Sequence, residues 1–299
     1  MSLGFEILDA EGLAGWQDGL RELEADISYP IEGGADSFRI DHGSSYASFF
    51  TGMGKARFMV VTEGSRVVGS LAAVWKEAEL GGRTYTGLYF ADLKIAPSHR
   101  RQGIPASMFW KALRAWPLRR EYQGWDFVFY AAMRGSSGDV SRSFQGSHLG
   151  RITRPAAELK VYFLPGEQLS ALGSGGPPPE KRQGAKLSLG HQEGLRRNFG
   201  RKDFVLGSTG EPWKLVHVSP LESCGPETGD RLAEAGRLIA GEDPGALGCF
   251  AVDRRSEGLC SWLAEQGVVT DTWCTVYSIS FFAPGIRGLP WLQLSTSEI

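Results

Sequence analysis

From Leu93 to Phe109 the chain reads LKIAPSHRRQGIPASMF: an apolar run, two arginines, a glycine, then helical spacing. Such a junction suits a phosphate. The first backbone N–H groups of a helix lack intrahelical partners and point outward. Together with the helix dipole they attract an anion, and a glycine lets that anion approach the backbone. Arg100 and Arg101 would add positive charge at the rim. Just upstream, in YFADLKI, Asp92 is a carboxylate in a strand-like run, where aspartate is depleted. A role as general base would account for it, and so would a bond to a neighbouring backbone group or arginine. Tyr89 lies on the same run and, by strand alternation, faces the opposite side from Asp92. His42 and His99 read as plain loop histidines.

These groups need elements to hold them. Leu13, Trp16, Leu20 and Leu23 recur at helical spacing, and a second short helix is expected at Ser45 to Phe50. Phe58 to Thr62 and Val67 to Trp75 read as a hairpin turned at Glu63-Gly64-Ser65. Tyr85 to Ile95 is a third strand, stopped by Pro97. After the junction, Phe109, Ala112, Leu113 and Trp116 mark an amphipathic helix ending at Pro117. Phe127 to Met133 is continuously apolar, as a strand buried on both faces would be. Helical potential at Asp139 to His148 precedes a strand at Glu158 to Leu164. Hairpins followed by a β-α-β crossover predict a mixed α/β sheet with helices on both sides.

From Pro165 to Gly190 the sequence turns to clustered glycines and three successive prolines, as a linker would. Its Gly173, Gly175 and Gly176 precede prolines rather than a helix, so they make no dinucleotide loop. The expected division is therefore residues 1–165, a linker over 166–190, and a second, smaller α/β domain over 191–299. In that second part strands are expected at Lys214 to Val218, Leu247 to Val252 and Thr272 to Phe281, with helices at Asp230 to Ala240 and Gly258 to Gln266. FVFYAAM, helix, glycine, KVYF is echoed by CFAV, helix, glycine, TVYSISF, as a decayed duplication would leave.

Bulk properties narrow the class. Lys and Arg total 32 against 34 Asp and Glu, a net charge of −2, which argues against nucleic acid as a partner. No apolar run approaches the ~20 residues of a membrane span, and no basic start precedes an apolar core at the N-terminus. A cytoplasmic protein without membrane contact is expected. Cys224, Cys249, Cys260 and Cys274 show no C-x-x-C spacing, which fits reduced thiols and no metal site.

The run Arg100-Arg101-Gln102-Gly103-Ile104-Pro105-Ala106, preceded by Ile95-Ala96-Pro97, resembles the R/Q-x-x-G-x-G/A motif of the GNAT superfamily of acyl-CoA N-acyltransferases. Val67-Val68-Gly69 and the element order over the first half also look like that family. The resemblance implies a GNAT-like central mixed sheet, in tandem with a second unit that is possibly a degenerate copy. It implies acetyl-CoA or another acyl-CoA as co-substrate, held by Arg100, Arg101, Gln102, Gly103, Ile104 and Ala106. Leu93 to Ile95 would offer the backbone N–H for the thioester oxygen. The acyl group would pass to a small-molecule or peptide amine by direct attack, with Asp92 as base. Pro105 departs from the motif and removes one N–H. The family's tyrosine acid has no counterpart between Asp139 and Gly150, which leaves Ser147 and His148 in range, with His148 taken as the acid. A binding protein that senses acyl-CoA without turnover is the alternative. The second unit would form a substrate wall or the surface of a homodimer.

Overall fold

The computed structural model describes residues 2–31, 36–135, 138–139, 153–173, 175–177, 184–189, 194–218, 225–279 and 285–299. The chain opens with β1 (Leu3–Leu8) and α1 (Gln17–Ala25), which buries Leu20 and Leu23 as their spacing predicts. β2 (Ser37–Asp41) and α2 (Tyr46–Thr51) follow. β3 (Lys55–Glu63) and β4 (Arg66–Leu80) form the expected hairpin. Its turn needs Gly64 at φ 60. β5 (Arg83–Ile95) pairs antiparallel with β4, and α3 (Ile104–Ala115) crosses over to β6 (Phe127–Gly135), parallel to β5. Phe127, Val128 and Phe129 are all buried, so β6 is covered on both faces. The next strand, β7 (Thr153–Pro165), starts earlier than the apolar pattern alone suggests. Residues 140–148 of the expected helix lie outside the described residues.

The second half contains β8 (Leu195–Arg197), β9 (Asp203–Leu206), β10 (Leu215–Val218), α4 (Thr228–Glu242), β11 (Leu247–Asp253), α5 (Glu257–Glu265) and β12 (Trp273–Ile279). One sheet runs through both halves in the order β1-β3-β4-β5-β6-β12-β7-β11-β10-β8. β2 and β9, too short to stand out in the sequence, pair with each other in a second small sheet that ties the halves together.

The echo between the two halves takes the form of a strand exchange. β6 is followed in the chain by β7 but pairs with β12. β11 is followed by β12 but pairs with β7. β12 and β7 then pair with each other, antiparallel, at the centre. On either side of that centre stands a parallel pair with a helical crossover, β5-α3-β6 and β10-α4-β11.

The stretch expected as a linker is, in its described part, built into the fold. Gly166–Ser170 is a short helix packed on α4. Leu169, Leu172, Ala185 and Leu187 are buried, so glycine and proline content there reflects close backbone approaches rather than a free tether. Ala185 and Lys186 also pair with the end of β4 and with Leu292 and Gln293. From there the segment Ser295 to Glu298 runs buried through the interior. The Glu298 carboxylate meets the Lys76 ammonium of β4, and the Thr296 hydroxyl donates to the Cys249 carbonyl of β11 at 3.1 Å. Residues two apart span at most ~7 Å, yet β4 and β11 are five strands apart in the sheet. The tail and the side chains that reach it thus bridge two distant strands of the sheet.

Candidate functional site

The α3 junction has the geometry an anion needs. Gly103 caps the helix in the left-handed region at φ 72, and Arg101, two residues earlier, is also left-handed at φ 65. That conformation is uncommon for a residue with a side chain and marks a constrained loop. Arg100, Arg101, Gln102 and Gly103 are exposed, while Ile104 is buried and anchors the first turn. The backbone N–H groups of Gln102, Gly103, Ile104 and Ala106 donate to no acceptor among the described residues. A Cβ at Gly103 would meet nothing within 4 Å, so the space above it is open. Pro105 sits in the first turn, where a proline fits but offers no N–H. Beside the loop, His99 is buried and faces Glu63 at 3.3 Å, so it is no plain loop residue.

The junction stands at the mouth of a wedge. β5 and β6 pair from Gly87↔Phe127 to Phe90↔Tyr130 and then part. Past that last rung, β5 carries a bulge. Ser70 pairs with Lys94 and Ala72 with Ala91, leaving Asp92 and Leu93 opposite Leu71 alone. Asp92 adopts φ 53 to make this turn. Leu93 and Ile95, both partly exposed, lie on this stretch, which β6 no longer pairs while Ile95 still pairs with Gly69 of β4.

The bulge overturns the alternation that put Tyr89 and Asp92 on opposite faces. Lys76 places its ammonium over the Tyr89 ring, and Tyr46 hydrogen-bonds both Ser70 and Asp92. Ser70 and Lys76 are an even number of residues apart on β4, hence on one face. The extra residue in the bulge brings Asp92 to the same side as Tyr89.

There Asp92 joins a buried network. Lys94 donates to both Asp92 oxygens at 2.5 and 2.6 Å and to Glu24 at 2.8 Å. The Tyr46 hydroxyl donates to Asp92, and His42 Nδ1 contacts Glu24 at 2.5 Å. Burial alone would raise the Asp92 pKa, but the Lys94 ammonium, His42 and the two hydrogen bonds outweigh it and hold the carboxyl well below the usual range. Burial likewise opposes charge on Lys94, and Asp92 and Glu24 overcome it, raising the Lys94 pKa. Burial pushes the His42 pKa down, against the pull of Asp92 and Glu24, and its Nδ1 faces Glu24. Lys202, over the rings of Phe49 and Phe204, is pushed down to about 8, chiefly by burial. Glu24, His42 and Asp92 could between them ligate a metal, with donor atoms within 4.8 Å of one another. Lys94 bonds both carboxylates and already serves as their cation. Of this network the sequence reading singled out Asp92 alone and took His42 for a loop residue. The available signal was Lys94, an opposite charge two residues on in a strand-like run. His148, named as the acid, lies outside the described residues.

On the opposite face of the sheet lies an apolar slot of about 220 Å³. Its floor crosses from Ile7 on β1 through Leu71, Ala73 and Trp75 on β4 and Leu88 and Phe90 on β5 to Ile279 on β12. Phe109, Ala112, Leu113 and Trp116 form its roof, so the stripe expected to pack α3 tightly leaves a gap.

Among the described residues the second crossover shows no equivalent anion site. The α4 N-terminus is occupied by the chain itself: the Gly229 N–H donates to the Gly175 carbonyl at 2.8 Å. Glu227 and Asp230 stand at its start, where a bound phosphate would be repelled. Beside the parallel pair, His217 Nδ1 lies 3.0 Å from the Thr296 hydroxyl, so the tail fills the space next to β10.

Among the described residues no helix is long and apolar enough to cross a membrane. No family model matches the chain, and no curated protein matches it. Solved structures do. A "tandem GNAT protein from the clavulanic acid biosynthesis pathway" aligns over 95% of this chain and 100% of its own, with TM-score 0.53 and 13% identity. A "conserved protein of unknown function" and "probable N-acyltransferase" from Enterococcus faecalis V583 aligns over 93% of this chain and 72% of its own, with TM-score 0.49 and 8% identity. A GCN5-related N-acetyltransferase from Anabaena variabilis aligns over 92% and 72%, with TM-score 0.45 and 12% identity. The first of these likenesses shows the fold: a mixed α/β tandem GNAT architecture.

Proposed function

We propose that the protein is an N-acyltransferase that moves an acyl group from acetyl-CoA or another acyl-CoA to an amine of a small molecule or peptide. The carrying observation is the set of unpartnered N–H groups at Gln102, Gly103, Ile104 and Ala106, flanked by Arg100 and Arg101, at the mouth of the β5–β6 wedge. The CoA pyrophosphate binds these groups, and the arginines neutralise its charge. The wedge takes the pantetheine arm and presents the thioester to Leu93 to Ile95, on the edge of β5 that β6 has left. There a backbone N–H stabilises the oxygen as the amine attacks the carbonyl carbon. The C–S bond then breaks, and the proton lost by the attacking nitrogen passes to the departing thiolate, giving the amide and free CoA. Asp92 serves as a positioning residue, because a carboxylate held so low, with both oxygens engaged, is a poor acceptor for the proton of an attacking amine.

The sensor reading draws on the same facts: the engaged Asp92 and the N–H missing at Pro105 suit binding without turnover. Calorimetry with CoA and acetyl-CoA tests binding, and thiol release over a panel of amines separates enzyme from sensor. Gly103→Val should abolish binding while the protein stays folded, since it fills the open space above the loop and strains the left-handed cap by roughly 1–2 kcal/mol. Full affinity in a folded Gly103→Val protein would remove the loop from the site.

A further inference from the structure

The apolar slot beneath α3 begins where the β5–β6 wedge ends. Phe90 forms the last rung of the parallel pair, and its side chain lines the slot together with Leu88 and Val128. On the other face the same level is closed. Tyr89 stacks on Phe129 with ring centroids 4.8 Å apart and donates its hydroxyl to the Glu298 carbonyl at 2.8 Å. A chain that continues past the wedge thus meets this closed level on one face and the slot on the other. Its lining residues come from six neighbouring strands, β1, β3, β4, β5, β6 and β12. Its lining is apolar except near Arg57 and Tyr122, which makes it a poor home for water.

From this geometry we infer that the slot receives the alkyl part of the acyl group, and that the donor is a medium-chain acyl-CoA rather than acetyl-CoA. This rests on the acyl-CoA reading above and adds the chain length to it. At about 220 Å³ the slot exceeds an apolar cavity of roughly 150 Å³ that takes a six-carbon ring, so it suits a chain near octanoyl. The thioester stays at Leu93 to Ile95, and only the methylenes enter the slot.

The test is a calorimetric series with CoA and with acetyl-, butyryl-, hexanoyl-, octanoyl- and palmitoyl-CoA. Each methylene withdrawn from water tightens binding about fourfold. After the loss from ordering the chain, octanoyl-CoA should bind on the order of a hundredfold tighter than acetyl-CoA, with no further gain at palmitoyl. Ala73→Phe, on the slot floor, should flatten the series to the acetyl value and leave CoA and acetyl-CoA affinity unchanged. Ala112→Phe, on the roof, should do the same and serves should the first variant fail to fold. Trp75, Trp116 and Trp125 all line the slot, so octanoyl-CoA should change tryptophan fluorescence where CoA does not. Equal affinity for acetyl- and octanoyl-CoA, or an unchanged series in either folded variant, would overturn the slot assignment alone. Failure of every CoA species to bind would overturn the acyl-CoA reading and the slot assignment with it.

Discussion

Asp92 performs two tasks with one side chain. Its backbone makes the left-handed turn of the bulge, and its carboxylate ties that turn to Lys94 and Tyr46. Asp92→Asn would leave Lys94 with Glu24 as its remaining anion in a buried site, and breaking such a pair costs about 3–5 kcal/mol. A pH dependence follows from the direction of the shifts. Asp92 and Glu24 are both depressed in the folded protein, so the unfolded chain binds more protons as acid is added. Their stabilisation is complete above the unfolded carboxylate range near ~4 and is lost as pH falls below it. Thermal melts from pH 7 to 3 should show a low, flatter profile for Asp92→Asn and a steep acid loss for the native chain. Turnover per folded molecule should fall less than about tenfold. A loss of ~10²–10⁴-fold with an unchanged melting temperature would return Asp92 to the role of base.

At the scale of elements, α3 connects two sites: its N-terminus faces the phosphate position and its underside roofs the slot. Pro105 is the weak point of the first. Pro105→Ala supplies one more N–H in the first turn and keeps a good helix former there. Calorimetry with CoA should show binding tightened on the order of ten- to a hundredfold, the worth of one net hydrogen bond to a charged group; unchanged affinity would mean that this position does not face the phosphate. The junction was legible in the sequence because its residues are contiguous and its chemistry belongs to a helix start. The Glu24–His42–Tyr46–Asp92–Lys94 network was not, since α1, the end of β2, α2 and β5 each contribute to it. The bulge also defeated the alternation argument: one inserted residue carries a side chain across the sheet. The slot was hidden for a different reason. The stripe Phe109, Ala112, Leu113, Trp116 has the pattern of a packed helix face, and no periodicity distinguishes a face that packs from one that stands off.

At the scale of the whole molecule, two crossovers stand either side of a central pair of exchanged strands, and among the described residues the first alone joins a run of unpartnered N–H groups to flanking arginines. The other is closed by Gly175 at its helix and by Thr296 beside its strands. Calorimetric titration should therefore give one CoA per chain, and two would mean that the segment around Gly175 yields to the ligand. The main elements of both halves were legible from their periodicity, β6 as a doubly buried strand above all. Their pairing was not, because partners so distant in the chain leave no local trace. The exchanged strands also set an order of assembly. During synthesis β6 emerges long before β12, its antiparallel neighbour, and the residues from 136 to 272 must be made in between. At roughly 5–20 residues per second the wait is on the order of ten seconds. Throughout it β6, rich in Phe and Val, exposes an unpaired apolar edge of the kind that invites wrong partners. The first half thus cannot close its own sheet as it leaves the ribosome, and vectorial folding, half by half, is denied to this chain.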